Sequence, residues 1–258
     1  MSSKPKLLLI DADYAPYAFG SRPDFDAIVK TTEWLEWLYD KLGTRNVIIC
    51  VSGRNNFRYR IATIKPYKAN RANKEKPESY QVIRDYLLKL PNAIEVIGAE
   101  ADDIIIMLKR AYEMAYDVVM VSDDKDFLIE TGTHFRHSKN ILLEVSHDIV
   151  QRPTVIIDEE FGNTDIIWVT EYYGDYMLYY QMLIGDSADN IPGVPGIGKS
   201  NKIFKEEFIE GITVNDARAI VWREYLKYYK LSAVDAYLEQ YRLLRLMKDV
   251  ETLNIPHD

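Results

Sequence analysis

Carboxylates recur in this sequence where an α/β protein places its turns. Asp11 and Asp13 follow the apolar run 7–10, and Glu100, Asp102 and Asp103 open an apolar stretch that begins at Ile104. Asp124 and Asp126 follow the run 118–121, and Asp186 and Asp189 lie in the turn-rich stretch 185–192. In open α/β sheets ligands collect outside the carboxyl ends of the strands, so these four groups are placed to converge there. Brought together, they repel one another strongly unless cations neutralise them. An oxygen-only donor set suits Mg2+ or Mn2+. The chemistry it points to is phosphodiester hydrolysis by two or more metal ions.

Each cluster also has a simpler explanation. Acids at a helix start can be plain caps, favoured by the helix dipole. One cap acid is ordinary, whereas three in four residues, as in EADD, exceed what a cap requires. On a helix Glu100 and Asp103 share a face and Asp102 points elsewhere. In SDDKDF, Ser122 or Asp123 can cap the next helix; Asp123 is read as structural and Asp124 and Asp126 as functional. Asp11 and Asp13 alternate along an extended chain and share one face, with Asp11 nearer the strand.

The elements that must position these residues follow from hydrophobic spacing. Short apolar runs alternate with helical patterns in the first half, which predicts an α/β fold with a mostly parallel central sheet and crossover helices. Strands are expected over 6–10, 46–51, 94–97 and 117–121, with an edge strand over 141–145. Ile28, Trp34, Leu35 and Leu38 give residues 26–42 a helical period. Pro77 and Pro91 bracket a helix over about 77–90, and another covers 100–112. Beyond about residue 170 the pattern is helical. Tyr172, Tyr176, Tyr179, Tyr180 and Leu183 recur at helical spacing, as core packing does. A Gly/Pro-rich hairpin over 185–198 leads into a helix from Lys199, and helices over 213–229 and 233–248 follow.

Composition bounds the alternatives. With 258 residues, 47% hydrophobic and 28% charged, the chain can build one large α/β domain with a helical appendage. No apolar run approaches the roughly 20 residues that cross a bilayer, so no membrane association is expected. The N-terminal MSSKPK has no signal-peptide core. The single Cys50 excludes an intramolecular disulfide framework and fits a reducing cytoplasm. His134, His137, His147 and His257 show no zinc-ligand spacing.

The net charge of −8 is unevenly spread. Between Arg54 and Lys76 there are eight Lys/Arg and one acid, Glu75. Local patches govern phosphate binding, so this stretch is a candidate nucleic-acid contact, although a solvated basic face has the same composition. Its NFRYR and PYKANR interleave aromatics with cations, as contacts to single strands do, and Lys68 and Arg71 share a helical face. The stretch 193–200, GVPGIGKS, satisfies the P-loop pattern. A P-loop follows a buried strand, yet here the preceding residues are polar and turn-rich, and no later strand supplies a Walker B acid. The same backbone can instead grip a nucleic-acid phosphate without reading sequence.

Taken in order, LLLIDAD, NFRYR, YKANR, EADD, SDDKDF and GDSADNIPGVPGIGKS resemble the signatures of the 5′-nuclease (flap endonuclease) superfamily. The likeness is greatest to small bacteriophage 5′→3′ exonucleases and to the 5′-nuclease domain of bacterial DNA polymerase I. YRLLRLMKDV resembles the family's closing helix. The resemblance implies helices on both faces of the sheet, a helical arch or clamp, and a C-terminal helix–hairpin–helix-type region. The expected organisation is a nuclease core over 1–170, with the basic arch at about 54–90, and a helical DNA-binding region over 171–258.

The resemblance also implies site residues. The metal-binding carboxylates would be Asp11, Glu100, Asp102, Asp103, Asp124, Asp126, Asp186 and Asp189, holding two or more Mg2+ or Mn2+. Lys68 would be the arch lysine at the scissile phosphate, with Arg71 as its partner. Phe57, Arg58, Tyr67, Gly193, Gly196, Gly198, Lys199 and Ser200 would contact DNA, with K+ on the hairpin carbonyls. The implied activity is 5′→3′ exonuclease and 5′-flap cleavage leaving 5′-phosphates, in DNA replication or repair. The substrates would be DNA with free 5′ ends, flaps or forks, and RNA–DNA hybrids as a further class. A replication polymerase would be a partner of this monomer in the cytoplasm of a bacterium or phage-infected host. One position departs from the family pattern. An Asp usually follows the second strand, but 50–57 reads CVSGRNNF, with Asp13 the carboxylate that could compensate. This gap keeps open a second function, a structure-specific DNA binder without turnover. A P-loop NTPase is the third.

Overall fold

The run 7–10 is apolar at every position because it lies mid-sheet, covered on both faces. A computed structural model describes residues 4–71, 73–136, 150–156, 164–209 and 211–247. The strands are β1 (Lys6–Asp11), β2 (Val47–Ser52), β3 (Ala93–Val96), β4 (Asp117–Val121), β5 (Gly132–Arg136), β6 (Val150–Ile156) and β7 (Thr164–Val169). Among the described residues they form one sheet in the order β3-β2-β1-β4-β5-β7-β6. β1 to β5 run parallel; β7 is antiparallel to β5, and β6 to β7. The order reverses between β1 and β4, so a crevice opens at their carboxyl ends.

Side chains alternate between the two faces as a strand requires. Leu8 and Ile10 join Val47, Ile49, Val119 and Val121 beneath α2 (Asp24–Leu42) and α4 (Tyr80–Leu88), where Trp34, Leu38, Ile83 and Leu87 are buried. Leu7, Leu9, Cys50 and Met120 face α5 (Ala101–Tyr112) through Ile104, Ile105 and Ile106. Gly43 ends α2 in the left-handed conformation, with φ 68°.

The remaining helices are α1 (Tyr14–Phe19), α3 (Arg58–Ile61), α6 (Glu171–Ile184), α7 (Ile203–Glu206), α8 (Val214–Tyr229) and α9 (Ala233–Leu244). α6, α8 and α9 pack on one another around Met182, Leu183, Val221, Tyr225 and Leu244. The tyrosines of α6 do enter packing: Tyr179 is buried in this cluster, and Tyr176 and Tyr180 stack 6.2 Å apart.

Several expectations differ from the structure. The basic stretch holds the four-residue α3 and a 3-10 turn at Ala69–Arg71 among its described residues up to Ser79. α4 begins at Tyr80, because Ser79 N–H is held by Gly20 O at 2.8 Å. The helix expected from Lys199 starts at Ile203 and lasts four residues. α1, β5, β6 and β7 were not foreseen, and the strand expected over 141–145 lies outside the described residues. No helix is long and apolar enough to cross a membrane among the described residues.

Candidate active site

Asp11 is the last residue of β1, at the point where the strand order reverses. Its Oδ2 accepts from Ser122 Oγ at 2.9 Å and its Oδ1 from Asp13 N–H at 3.2 Å. Ser122 directly follows β4 and its Oγ also accepts from Asp124 N–H at 3.1 Å, so it laces the two strand ends together. Burial, then the charges of Asp13 and Asp124, push the Asp11 carboxyl up to about 8. No cation pairs with Asp11 among the described residues.

Asp124 is exposed and caps the 3-10 helix Lys125–Ile129, accepting from Asp126 N–H at 3.0 Å. Burial and Asp124 raise Asp126 to about 7 against the pull of Lys125. Gln181 of α6 donates to Asp126 at 2.6 Å. Lys125 pairs with Asp126 at 3.0 Å and, more closely, with Asp186. Burial works to raise Asp186, but the Lys125 ammonium and the N–H groups of Ala188 and Asp189 outweigh it and hold the carboxyl below its usual range.

The EADD segment divides its work. Glu100 and Asp103 form a reciprocal capping box on α5. Asp103 is fully buried and takes a bidentate Arg58 at 2.6 and 2.8 Å, plus Met247 N–H at 2.9 Å. Both its oxygens are therefore occupied within the protein. Arg58 is 1% exposed and also donates to Leu243 O at 3.1 Å, so it ties the basic segment to α5 and α9 rather than meeting DNA. Phe57 and Tyr67, at 2% and 3% exposed, are likewise interior and do not form a DNA surface here. Asp102 stays part-exposed, its carboxyl pushed well up by burial and by Asp103 and Glu100.

The basic segment lies against this acidic crevice. Lys68 pairs closely with Glu100 and stands 3.7 Å from Asp189. Its φ of 53° is unusual for a side-chain-bearing residue, and its N–H is held by Asp189 O at 2.9 Å. Arg71 reaches Asp189 at 2.6 Å and Ala188 O at 3.0 Å. Tyr67 Oη bridges Glu100 and Asp189 at 2.8 and 2.7 Å.

In the hairpin, Gly196, Gly198, Lys199 and Ser200 are exposed, whereas Gly193 is buried. A Cβ on Gly193 would lie 2.3 Å from Gly185 N, so this glycine serves close backbone packing, not a DNA surface. The carbonyls expected to hold K+ accept bonds within the protein. Gly193 O takes Tyr229 Oη at 2.7 Å, Gly196 O takes Asn201 Nδ2 at 3.2 Å, and Gly198 O takes Asn201 N–H at 2.8 Å. The hairpin follows α6 instead of a strand, which overturns the P-loop reading.

Asp103 apart, the expected carboxylates thus stand near the strand ends and the hairpin, and two ammonium groups bridge pairs of them: Lys68 for Glu100 and Asp189, Lys125 for Asp126 and Asp186. Among the described residues no three His, Cys, Asp or Glu side chains are gathered to hold an ion as placed. The donor chemistry nonetheless fits a hard divalent cation. It is all oxygen, and the carboxyls raised by burial and one another are those a cation would relieve.

A family model described as 5'-3' exonuclease, N-terminal resolvase-like domain, matches residues 14–155. The chain belongs to this 5'-3' exonuclease family. It is 30% identical over 225 residues to DNA polymerase I of Bacillus subtilis (strain 168), covering 79% of this chain and 23% of that protein. It is 32% identical over 164 residues to a 5'-3' exonuclease of Buchnera aphidicola subsp. Schizaphis graminum (strain Sg), covering 61% and 50%. The chain therefore spans half or less of these relatives' lengths. The fold matches the T5 D15 protein co-crystallized with metal ions, with TM-score 0.56 at 16% identity over 96% of this chain and 99% of that one. It also matches the bacteriophage T5 D15 flap endonuclease in a pseudo-enzyme-product complex with DNA and metal ions, with TM-score 0.57, 16% identity and coverage of 96% and 98%.

Some residues that shape the site of this exonuclease-family chain gave no sequence signal of their role. Arg136 of β5 is buried and donates to Asp124 O at 3.0 Å and, more closely, to Asp123 O, fixing the turn that carries Asp124. Ser122 after β4 acts on Asp11, Gln181 of α6 on Asp126, and Lys125 of the 3-10 helix on Asp126 and Asp186. Ser122 and Lys125 both lie inside SDDKDF, where Ser122 reads as a helix cap.

Proposed function

We propose that this chain is a divalent-metal-dependent 5′→3′ exonuclease that also cleaves 5′ flaps, acting on DNA with free 5′ ends, flaps or forks and on RNA–DNA hybrids, and leaving 5′-phosphates. One observation carries the reading: carboxylates from β1, β4, α5 and the α6 hairpin line one crevice, with Lys68 and Arg71 of the basic segment set on its rim. Asp11, Glu100, Asp102, Asp124, Asp126, Asp186 and Asp189 would hold Mg2+ or Mn2+; Asp103 serves the helix start and Arg58 instead. Divalent ions held there supply Lewis acidity, neutralising charge on the phosphate and acidifying a water.

The chain's own cations then have defined tasks. Lys68 and Arg71 exchange their carboxylate partners for the scissile phosphate and stabilise its added charge. Tyr67 keeps Glu100 and Asp189 at a fixed separation, so the ligands do not spread when Lys68 leaves. The exposed Gly196–Ser200 tip, with Lys199, grips duplex phosphate without reading bases. The α/β part up to about residue 170 carries the chemistry and the helical part beyond it the duplex contact. A replication polymerase, as a separate chain or a linked domain, and the cytoplasm complete the proposal.

The test uses 5′-flap and recessed-end DNA labelled at either end, in Mg2+ or EDTA. Short 5′-derived products that need Mg2+ and vanish in Asp124→Asn are expected. A second reading, a DNA-structure binder without turnover, is favoured by the absence of a carboxylate on Ser52 and Gly53 at the end of β2. Tight binding without cleavage in Mg2+ and in Mn2+ would select it.

A further inference from the structure

Charge is not all that holds the basic segment on the crevice. The hairpin loop 187–190 also grips it through main-chain and amide hydrogen bonds. Asn190 Nδ2 donates to Pro66 O at 2.8 Å, and Asp189 O accepts Lys68 N–H at 2.9 Å. Asn70 Nδ2 donates to Ser187 O at 2.6 Å and to Ala188 O at 3.3 Å, and Arg71 Nε donates to Ala188 O at 3.0 Å. The loop is closed at its base, where Asp186 and Ile191 exchange N–H···O bonds at 2.9 and 2.8 Å. Pro66 and Asn70 lie on either side of Lys68. Two uncharged amides, Asn70 from the segment and Asn190 from the loop, thus clip the chains together before and after that lysine.

The backbone between the clips gives them a purpose. Lys68 has φ 53° and Asn190 φ 61°, left-handed conformations that side-chain-bearing residues seldom adopt. Asparagine tolerates this region, whereas lysine gains nothing from it locally. Such a conformation persists where surrounding contacts fix it. Tyr67, buried in the cluster that includes Ile191 and Val194, is one anchor for the segment. A single anchor leaves rotation about it free, and a contact on each side removes that freedom. The side chain so aimed is the Lys68 ammonium, set toward Glu100 and Asp189. The amide bonds are exposed, so they add little to global stability and act mainly on local geometry.

We infer that Asn70 and Asn190 are positioning residues: they dock the segment 66–71 on the hairpin loop so that Lys68 meets the scissile phosphate in one orientation. The inference rests on the nuclease reading of the crevice and extends it to two residues whose amides bond to main-chain carbonyls.

Asn70→Ala and Asn190→Gly each remove one clip without altering charge, and glycine keeps the left-handed backbone at 190. Single-turnover cleavage of 5′-flap DNA in Mg2+ would be measured at saturating enzyme, together with DNA affinity, unfolding temperature and, without DNA, hydrogen exchange over 66–71. Each variant is expected to cleave about 10-fold more slowly, since a small misplacement of a charge-stabilising group is costly. Affinity and unfolding temperature should stay at wild-type values, and the Lys68 N–H should exchange faster. Added to Lys68→Ala, either substitution should change the rate less than about 2-fold, because the group it orients is gone. Wild-type rates in both variants, or losses that persist in full in Lys68→Ala, would overturn the positioning role. A slower rate that comes with a lowered unfolding temperature and unchanged exchange at Lys68 would also overturn it, leaving a structural role. No cleavage by the intact chain in Mg2+ or in Mn2+ would overturn the nuclease reading itself, and this inference with it.

Discussion

The two ends of the acidic crevice solve the same electrostatic problem differently. At the β1 end, Asp13 and Asp124 act on Asp11, no ammonium group joins it among the described residues, and its carboxyl is pushed up to about 8. At the hairpin end, Asp186 is buried, yet Lys125 and two backbone N–H groups hold its carboxyl below the usual range. The difference teaches where charge must come from. The hairpin end is compensated by lysine from the protein, whereas the β1 end requires a proton or an external cation. Lysines that pair with carboxylates can also yield to a divalent ion and turn to phosphate, so the compensated end is poised for exchange.

Asp124 belongs to both ends, since it acts on Asp11 and on Asp126. Asp124→Asn should break the comparison most severely, slowing single-turnover cleavage on the order of 10³-fold or more while circular dichroism and unfolding temperature stay near wild type. Near-normal turnover by the folded variant would remove the crevice from catalysis. Lys68→Ala strikes the compensated side alone. The single-turnover rate should fall about 100-fold, with DNA affinity changed only a few-fold. A loss confined to affinity, seen in a binding titration beside the rate, would make Lys68 a docking residue.

The contrast is sharpened by pH in the absence of metal. Asp11 and Asp126 keep protons up to about 8 and about 7 in the folded state, whereas an unfolded aspartate releases its proton near 4. Between those limits the folded protein binds more protons, so its stability should fall as pH rises from about 4 to 8. Asp186 acts with the opposite sign: its lowered carboxyl stabilises above the ordinary range, and that contribution is lost as pH falls through it. Urea unfolding in EDTA across pH 5 to 8.5 should therefore show declining stability, which saturating Mn2+ reverses because metal competes with those protons. A stability that rises with pH in EDTA would mean that Asp11 and Asp126 are relieved by a group other than a metal.

Much of this scaffold was legible because buried apolar runs and helical periods are local. β1, β2, β4, α2 and α5 lie where the spacing of Leu, Val, Ile and Trp predicts them. β5 escaped because its buried positions are Gly132, His134, Phe135 and Arg136, so the strand lacks an apolar alternation. The candidate acids were legible from their placement after apolar runs. Which of them are occupied within the protein was not, since the partners are remote in sequence. Asp103 meets Arg58, 45 positions away, and Met247, 144 positions away. Tyr67 and Arg58 read as surface aromatics and cations, but folding buries them between the basic segment and the helices.

The smallest expected effect lies farthest from the carboxylates. Lys199 is exposed at the tip of the hairpin, beyond the buried Gly193 that fixes the turn. On the proposed reading it adds one phosphate contact and no chemistry. Lys199→Ala should therefore weaken duplex binding only several-fold and make the dependence of log affinity on log salt shallower by about one. Its single-turnover rate at saturating enzyme should stay at the wild-type value, in contrast to Lys68→Ala. An unchanged salt slope would take Lys199 off the phosphate path. A fall in the saturated rate would show that duplex anchoring and the crevice are coupled, because a grip at the hairpin would then govern how the 5′ strand meets Lys68.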